Sequence, residues 1–166
     1  MTVAMDKPFQ TSVKMTEYND PIYTYKEALE RYQLALVNSV VKKSRASEKA
    51  YICLKSAWVV RGYRESLQGS ETNDAQMIGQ LEKQEEEFLQ NAYKGFTEAI
   101  QNEEFPMCGM DEVTMNYLMA VLAARFQKYD VASRMVAAVL TSNAARPRVK
   151  DKARDLKEQI LKDMKK

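Results

Sequence analysis

At 166 residues, with 45% hydrophobic and 29% charged content, the chain has the size and composition of one water-soluble globular domain that needs no disulfide staples. Five glycines and four prolines leave too few turns for an all-β fold, and the absence of histidine removes His-based triads, Cys–His nucleophile pairs and histidine metal sites together. A net charge of +2 gives nucleic acid no general attraction, so any such binding would rest on a local patch.

Residues 1–23 show no helical period and read as an extended arm. Pro8 and the Asn19-Asp20-Pro21 turn punctuate it, and Pro21 pushes Asp20 away from helix. Val3, Met5, Phe9 and Val13 supply its apolar residues. Thr24-Tyr25-Lys26-Glu27 is a capping box, and a helix is predicted from there to about Lys42. Ala28, Tyr32 and Ala35 sit at i, i+4 and i+7, on one face. Small residues at both ends of such a face admit a neighbouring helix closely, and the larger central residue fills the gap. Ala92, Phe96 and Ala99 repeat the spacing, and Ala132, Val136 and Val139 give a weaker copy.

Ser44 to Ser47 form a polar break with Ser47 as N-cap. A second helix over about 48–67 carries Ala50, Tyr51, Leu54, Ala57, Trp58 and Val60 on more than one stripe, so it is expected to be buried on two sides. Gly69 ends it, and Asn73 or Asp74 caps a third helix over about 75–102. The first half of that helix is polar, with Glu82, Glu85, Glu86 and Glu87 reading as a solvated face rather than a cation site, since one straight helix cannot surround an ion.

Asp111 caps a fourth helix to about Gln127, with Val113, Tyr117, Leu118, Val121 and Leu122 on two faces. Tyr129-Asp130 is a turn, and a fifth helix reaches about Thr141. Pro147 takes a favoured first-turn position in a last helix whose single stripe is Val149, Ala153, Leu156, Ile160 and Met164. Its outer face is charged, with Glu158 and Lys162 as an i,i+4 pair.

The small–large–small spacing and the short turns resemble tetratricopeptide hairpins. Residues 25–36 look like the second helix of one unit. Residues 111–143 look like a whole unit, with Ala120 and Ala132 at small contacts, although Val139 replaces the usual alanine. The expected fold is therefore all-α, five or six helices stacked as tetratricopeptide-like hairpins over 24–166, behind the arm at 1–23. A second resemblance lies in Ala50-Tyr51-Ile52-Cys53-Leu54-Lys55-Ser56-Ala57-Trp58, in Phe105 to Glu112, and in Thr141 to Pro147 with Lys152 to Asp155. These segments are similar to an uncharacterised bacterial family over roughly 24–160. In that family a zinc-ribbon-like cysteine segment usually precedes the helices, and such cysteines are absent here. The resemblance implies no particular activity.

The leading functional expectation is a non-catalytic protein–protein interaction module that docks a peptide or helix in an inter-hairpin groove. Lys55, Arg61, Asn116 and Arg125 interrupt apolar helices and are the expected exposed partner-binding residues. Tyr51 and Trp58, with Tyr117 and Val121, are the alternatives for lining the groove, although the usual place for such residues is the core. A second reading is an RNA-associated protein using Lys42, Lys43, Arg45, Lys49, Lys55, Arg61 and Arg64 together with Arg146 to Arg154. Interleaved acids and the lack of a stacking motif weigh against it. A third is a redox sensor at Cys108, set before a helix N-terminus, with no neighbouring base in the sequence to activate it. Cys53 and Cys108 are expected as free thiols in the cytoplasm. No cofactor, metal, membrane segment or catalytic residue is expected.

Overall fold

The computed structural model describes residues 21–69 and 74–166, with the backbone alone described over 21–24. The arm reading therefore lies outside these residues up to Asp20, as does Asn73. Six helices follow in order: α1 Pro21–Val41, α2 Ala46–Gln68, α3 Ala75–Asn102, α4 Glu112–Arg125, α5 Tyr129–Thr141 and α6 Pro147–Met164. No strand occurs among the described residues, apart from one isolated bridge between Met107 and Met110. The fold is all-α and built of helical hairpins.

Helix α1 starts at Pro21, so Thr24 lies inside it instead of capping it. Proline is tolerated in the first turn because its missing N–H would have no partner there anyway. Ser47 is likewise inside α2 and buried, and Arg45 holds the N-cap position without a side-chain bond. The aspartate caps follow the sequence reading. Asp74 Oδ1 accepts from the amides of Gln76 and Met77 at 3.1 and 3.2 Å, and Asp111 Oδ1 accepts from Thr114 at 2.8 Å. Tyr129 and Asp130, read as a turn, are instead the first residues of α5.

Two helices end directly on non-glycine residues in the left-handed region. Lys43 (φ 53°) follows α1, and the amides of Lys43 and Ser44 return to Val40 and Ser39. Gln127 (φ 61°) follows α4, and the amides of Gln127 and Lys128 return to Ala124 and Ala123. This reverse pattern of bonds satisfies the last carbonyls of each helix and folds the chain straight into the next one.

The chain divides into two compact units, Met1–Asn102 and Glu103–Lys166. In the first, α2 packs along α3 and also against α1. The Ala92–Phe96–Ala99 face is completely buried, as the spacing predicts. Beside it, Gly95 marks the close approach of α3 to α2: a Cβ there would stand 2.7 Å from Ala50 Cβ and 3.3 Å from the Ala46 carbonyl oxygen. A second cluster joins Tyr25 of α1 to Val59, Val60, Tyr63 and Leu67 of α2 and to Ile78 and Leu81 of α3. The polar first half of α3 is thus packed into the unit. In the second unit α5 packs between α4 and α6, and α6 also touches α4. Ala120, Ala123, Ala132, Val136, Val139 and Ala153 form the tight seam, each at most 2% exposed. On α6, Ala153 and Ile160 are buried while Met164 is 56% exposed, so its stripe is covered only in part. Its surface ion pairs are Arg154–Asp151 at 2.7 Å and Lys166–Asp163 at 3.7 Å, in place of the expected Glu158–Lys162.

Candidate functional site

Charged groups of the first unit are drawn into the fold. Lys55 was expected to be exposed, but it is 4% accessible. Its neighbours on the same helix face, four residues before and three after, are Tyr51 and Trp58. Lys55 Nζ lies 4.8 Å from the Tyr51 ring centroid and 5.0 Å from that of Trp58. Ring faces carry negative potential, and the four-carbon stem packs as an apolar chain, so the ammonium is covered without an equal loss of solvation. Tyr51 and Trp58 are half-buried and held by this lysine.

Arg61 and Arg64 lie one turn apart on α2 and converge on Glu85 of α3. Arg64 Nη2 donates to Glu85 Oε1 at 3.0 Å, and Arg61 Nε stands 3.5 Å from the same oxygen. The Glu85 side chain is 2% exposed. Arg64 Nη1 reaches Gln68 Oε1 at 3.4 Å, and Arg64 Nε is buried without a hydrogen-bond partner. Glu85 therefore departs from the solvated acidic face read from the sequence. A carboxylate can be buried here because two guanidinium groups stand over it. No group of three or more acidic or cysteine side chains is arranged to hold a metal among the described residues.

The second unit keeps its charges outside. Asn116 is half-buried in the middle of α4, and Arg125 is exposed at the C-terminal end of that helix. Arg125 lines a cleft of about 770 Å³ with Ala124 before it, Gln127 after it on the chain turn, Tyr129 from the start of α5, and Asp163, Met164 and Lys166 from the end of α6. The left-handed turn at Gln127 creates this corner, because it places the end of α4 beside the start of α5 and leaves the end of α6 as the third wall. The walls combine cations, one carboxylate, a phenol and an exposed methionine. Further along α4, Tyr117 is half-buried, and its pKa is raised above the ordinary tyrosine value by burial and then by the negative charge of Asp155.

Of the four residues nominated from sequence, Lys55 and Arg61 fall in the first unit and are engaged within it. Asn116 and Arg125 fall in the second, where Arg125 alone lines the cleft. The sequence reading missed Gln127, Tyr129 and Asp163 because nothing in their spacing marks a helix corner. It also missed Glu85, whose only sequence signal was a place on the buried stripe of α3, four residues before Leu89.

Cys53 and Cys108 are not joined in a disulfide. Cys53 is buried, and burial pushes its thiol pKa up. Cys108 (φ 52°) and Gly109 (φ 74°) form the tip of a tight turn closed by reciprocal backbone bonds between Met107 and Met110. The carboxylate of Asp111 already occupies the N-terminus of α4. A thiolate at Cys108 would share that positive end with a charge already bound there.

Residues 3–160 match the family described as an uncharacterized protein conserved in bacteria (DUF2225), and the chain belongs to that family. A search of curated proteins and a search of solved structures each find no match. No helix among the described residues is long and apolar enough to cross a membrane.

Proposed function

We propose that this chain is a non-catalytic, tetratricopeptide-like interaction module of the bacterial cytoplasm, and that it takes an extended peptide segment in the α4–α5–α6 cleft. The carrying observation is the cleft itself: it opens at the corner of one hairpin against the helix that follows, and Arg125 stands exposed on its wall. The fully buried Ala120 and Ala132, at the close contacts of α4 and α5, support the tetratricopeptide-like reading. A guanidinium beside an exposed methionine and a tyrosine suits a peptide with a carboxylate next to an apolar side chain.

The RNA reading has weaker support. Lys55, Arg61 and Arg64 are taken up within the first unit, and Arg154 is paired with Asp151. The Cys108 reading has weaker support as well, because the carboxylate of Asp111 already occupies the helix end beside it.

The test is selection of a random peptide library displayed on phage against the immobilised chain. Enrichment of sequences with an acidic residue beside an apolar one, lost for Arg125→Glu with helical content unchanged, supports the proposal. Failure to enrich any sequence, or equal binding of enriched peptides by Arg125→Glu, overturns it.

A further inference from the structure

We propose that the peptide held at Arg125 continues out of the cleft along α4 to Tyr117 and Asp155, and that it carries a basic residue four positions from its acidic one, with an apolar residue midway. This rests on the cleft reading and adds to it a second anchor of opposite charge.

Two pairs of residues fix the course of this path. Arg125 of α4 and Asp163 of α6 line the same cleft. Eight residues earlier on each helix stand Tyr117 and Asp155, near enough for the Asp155 charge to add to the rise of the Tyr117 pKa. The equal offset sets α4 and α6, which touch, side by side and running in the same direction. Tyr117, Val121 and Arg125 recur every fourth residue and so share a face of α4. Tyr117 is half-buried, and Val121 and Arg125 are exposed. On α6, Asp155, Gln159 and Asp163 recur in the same way, and Gln159 Nε2 donates to Asp163 Oδ1 at 3.0 Å.

Charge selects the occupant. At one end the cleft holds two cations, Arg125 and Lys166, against one carboxylate, Asp163, which faces Lys166 at 3.7 Å. At the other end the exposed Asp155 stands near Tyr117. Of the two cations in the turn before Asp155, Arg154 is paired with Asp151 at 2.7 Å and Lys152 is half-buried. The stretch from Tyr117 to Arg125 is about 12 Å long at the helical rise. An extended peptide rises about 3.3 Å per residue and returns to the same side at every second residue, so its positions i, i+2 and i+4 span about 13 Å on one side. Those positions meet Arg125, then Val121, then Tyr117 with Asp155. A carboxylate, an aliphatic side chain and a cation match that order, since a carboxylate and a ring face both favour positive charge. The opposite charge order would set like charges together at both ends.

Fluorescence polarisation of labelled synthetic peptides on the full chain tests this. The probes carry glutamate, leucine and lysine at alternate positions between serines, in that order and in reverse, to cover both chain directions. A control set has glutamate in place of the lysine. The expected result is that one direction binds and that Arg125→Glu loses it. Asp155→Lys, a surface change, weakens the lysine peptide at least about fivefold and binds the glutamate control more tightly than the parent chain does. Val121→Ser weakens the same peptide, and helical content stays unchanged in all three variants. Binding that needs Arg125 but is equal for the parent chain and Asp155→Lys overturns this inference and leaves the cleft reading standing. Absence of any Arg125-dependent binding overturns both.

Discussion

The two units place charge in opposite ways. The first buries a carboxylate under two arginines and an ammonium under two aromatic rings. The second buries alanines and valines and leaves Arg125 facing a cleft. The contrast follows from which side chains meet at the contact. In the second unit the seam of α4, α5 and α6 is filled by apolar residues, and the charged residues of these helices stay outside it. Helices α2 and α3 close tightly around Gly95 and Ala50. Away from that point there is room for Arg61, Arg64 and Glu85. A charged residue that interrupts an apolar helix therefore has two fates, and the side chains that face it decide which.

The repeated spacing offers the largest test of this comparison. Phe96 and Val136 occupy equivalent central positions and are both buried, but only Phe96 is large. Phe96→Ala is expected to cost about 4 kcal/mol and Val136→Ala about 2, measured by urea unfolding. Equal costs would mean that the two seams are not packed alike. Next in size is Glu85→Gln, which leaves the arginines over a neutral amide. It is expected to lower stability by about 3 kcal/mol. Arg125→Gln in the same assay should change it by less than about 0.5 kcal/mol, as a surface substitution. Comparable losses for both would erase the distinction between the units.

The smallest effect is at alkaline pH. The Tyr117 pKa is raised in the folded chain, so the folded state holds this proton more tightly than the unfolded one. Its contribution is fully present below the unfolded value of about 10 and is lost as pH rises through the folded value. Melting temperatures of Tyr117→Phe should fall less steeply above pH 10 than those of the parent chain. Parallel curves would show that the burial of this hydroxyl does not matter to folding.

Helix number, the aspartate caps and the buried Ala92–Phe96–Ala99 face were legible in the sequence, because each depends on local spacing alone. The turns at Lys43 and Gln127 were not, since neither residue favours a positive φ and the bonds that hold it there come from the preceding helix. The burial of Lys55 and Glu85 was also hidden. Lys55 needed the ring faces of Tyr51 and Trp58 turned toward it. Glu85 needed two arginines from another helix, and an acidic residue within an acidic run carries no mark of which neighbours face inward. Arg125 was found because it interrupts an otherwise apolar helix. The rest of its cleft joins the turn after α4 and the start of α5 to the end of α6, more than thirty residues on.

The most direct measurement is a ¹⁵N–¹H correlation titration of the chain with a display-selected peptide. The account predicts shifts concentrated at Ala124 to Tyr129 and at Asp163 to Lys166, with Lys55, Arg61 and Glu85 unmoved. Shifts concentrated around Lys55 and Arg61, with the α4–α5–α6 cleft silent, would contradict it.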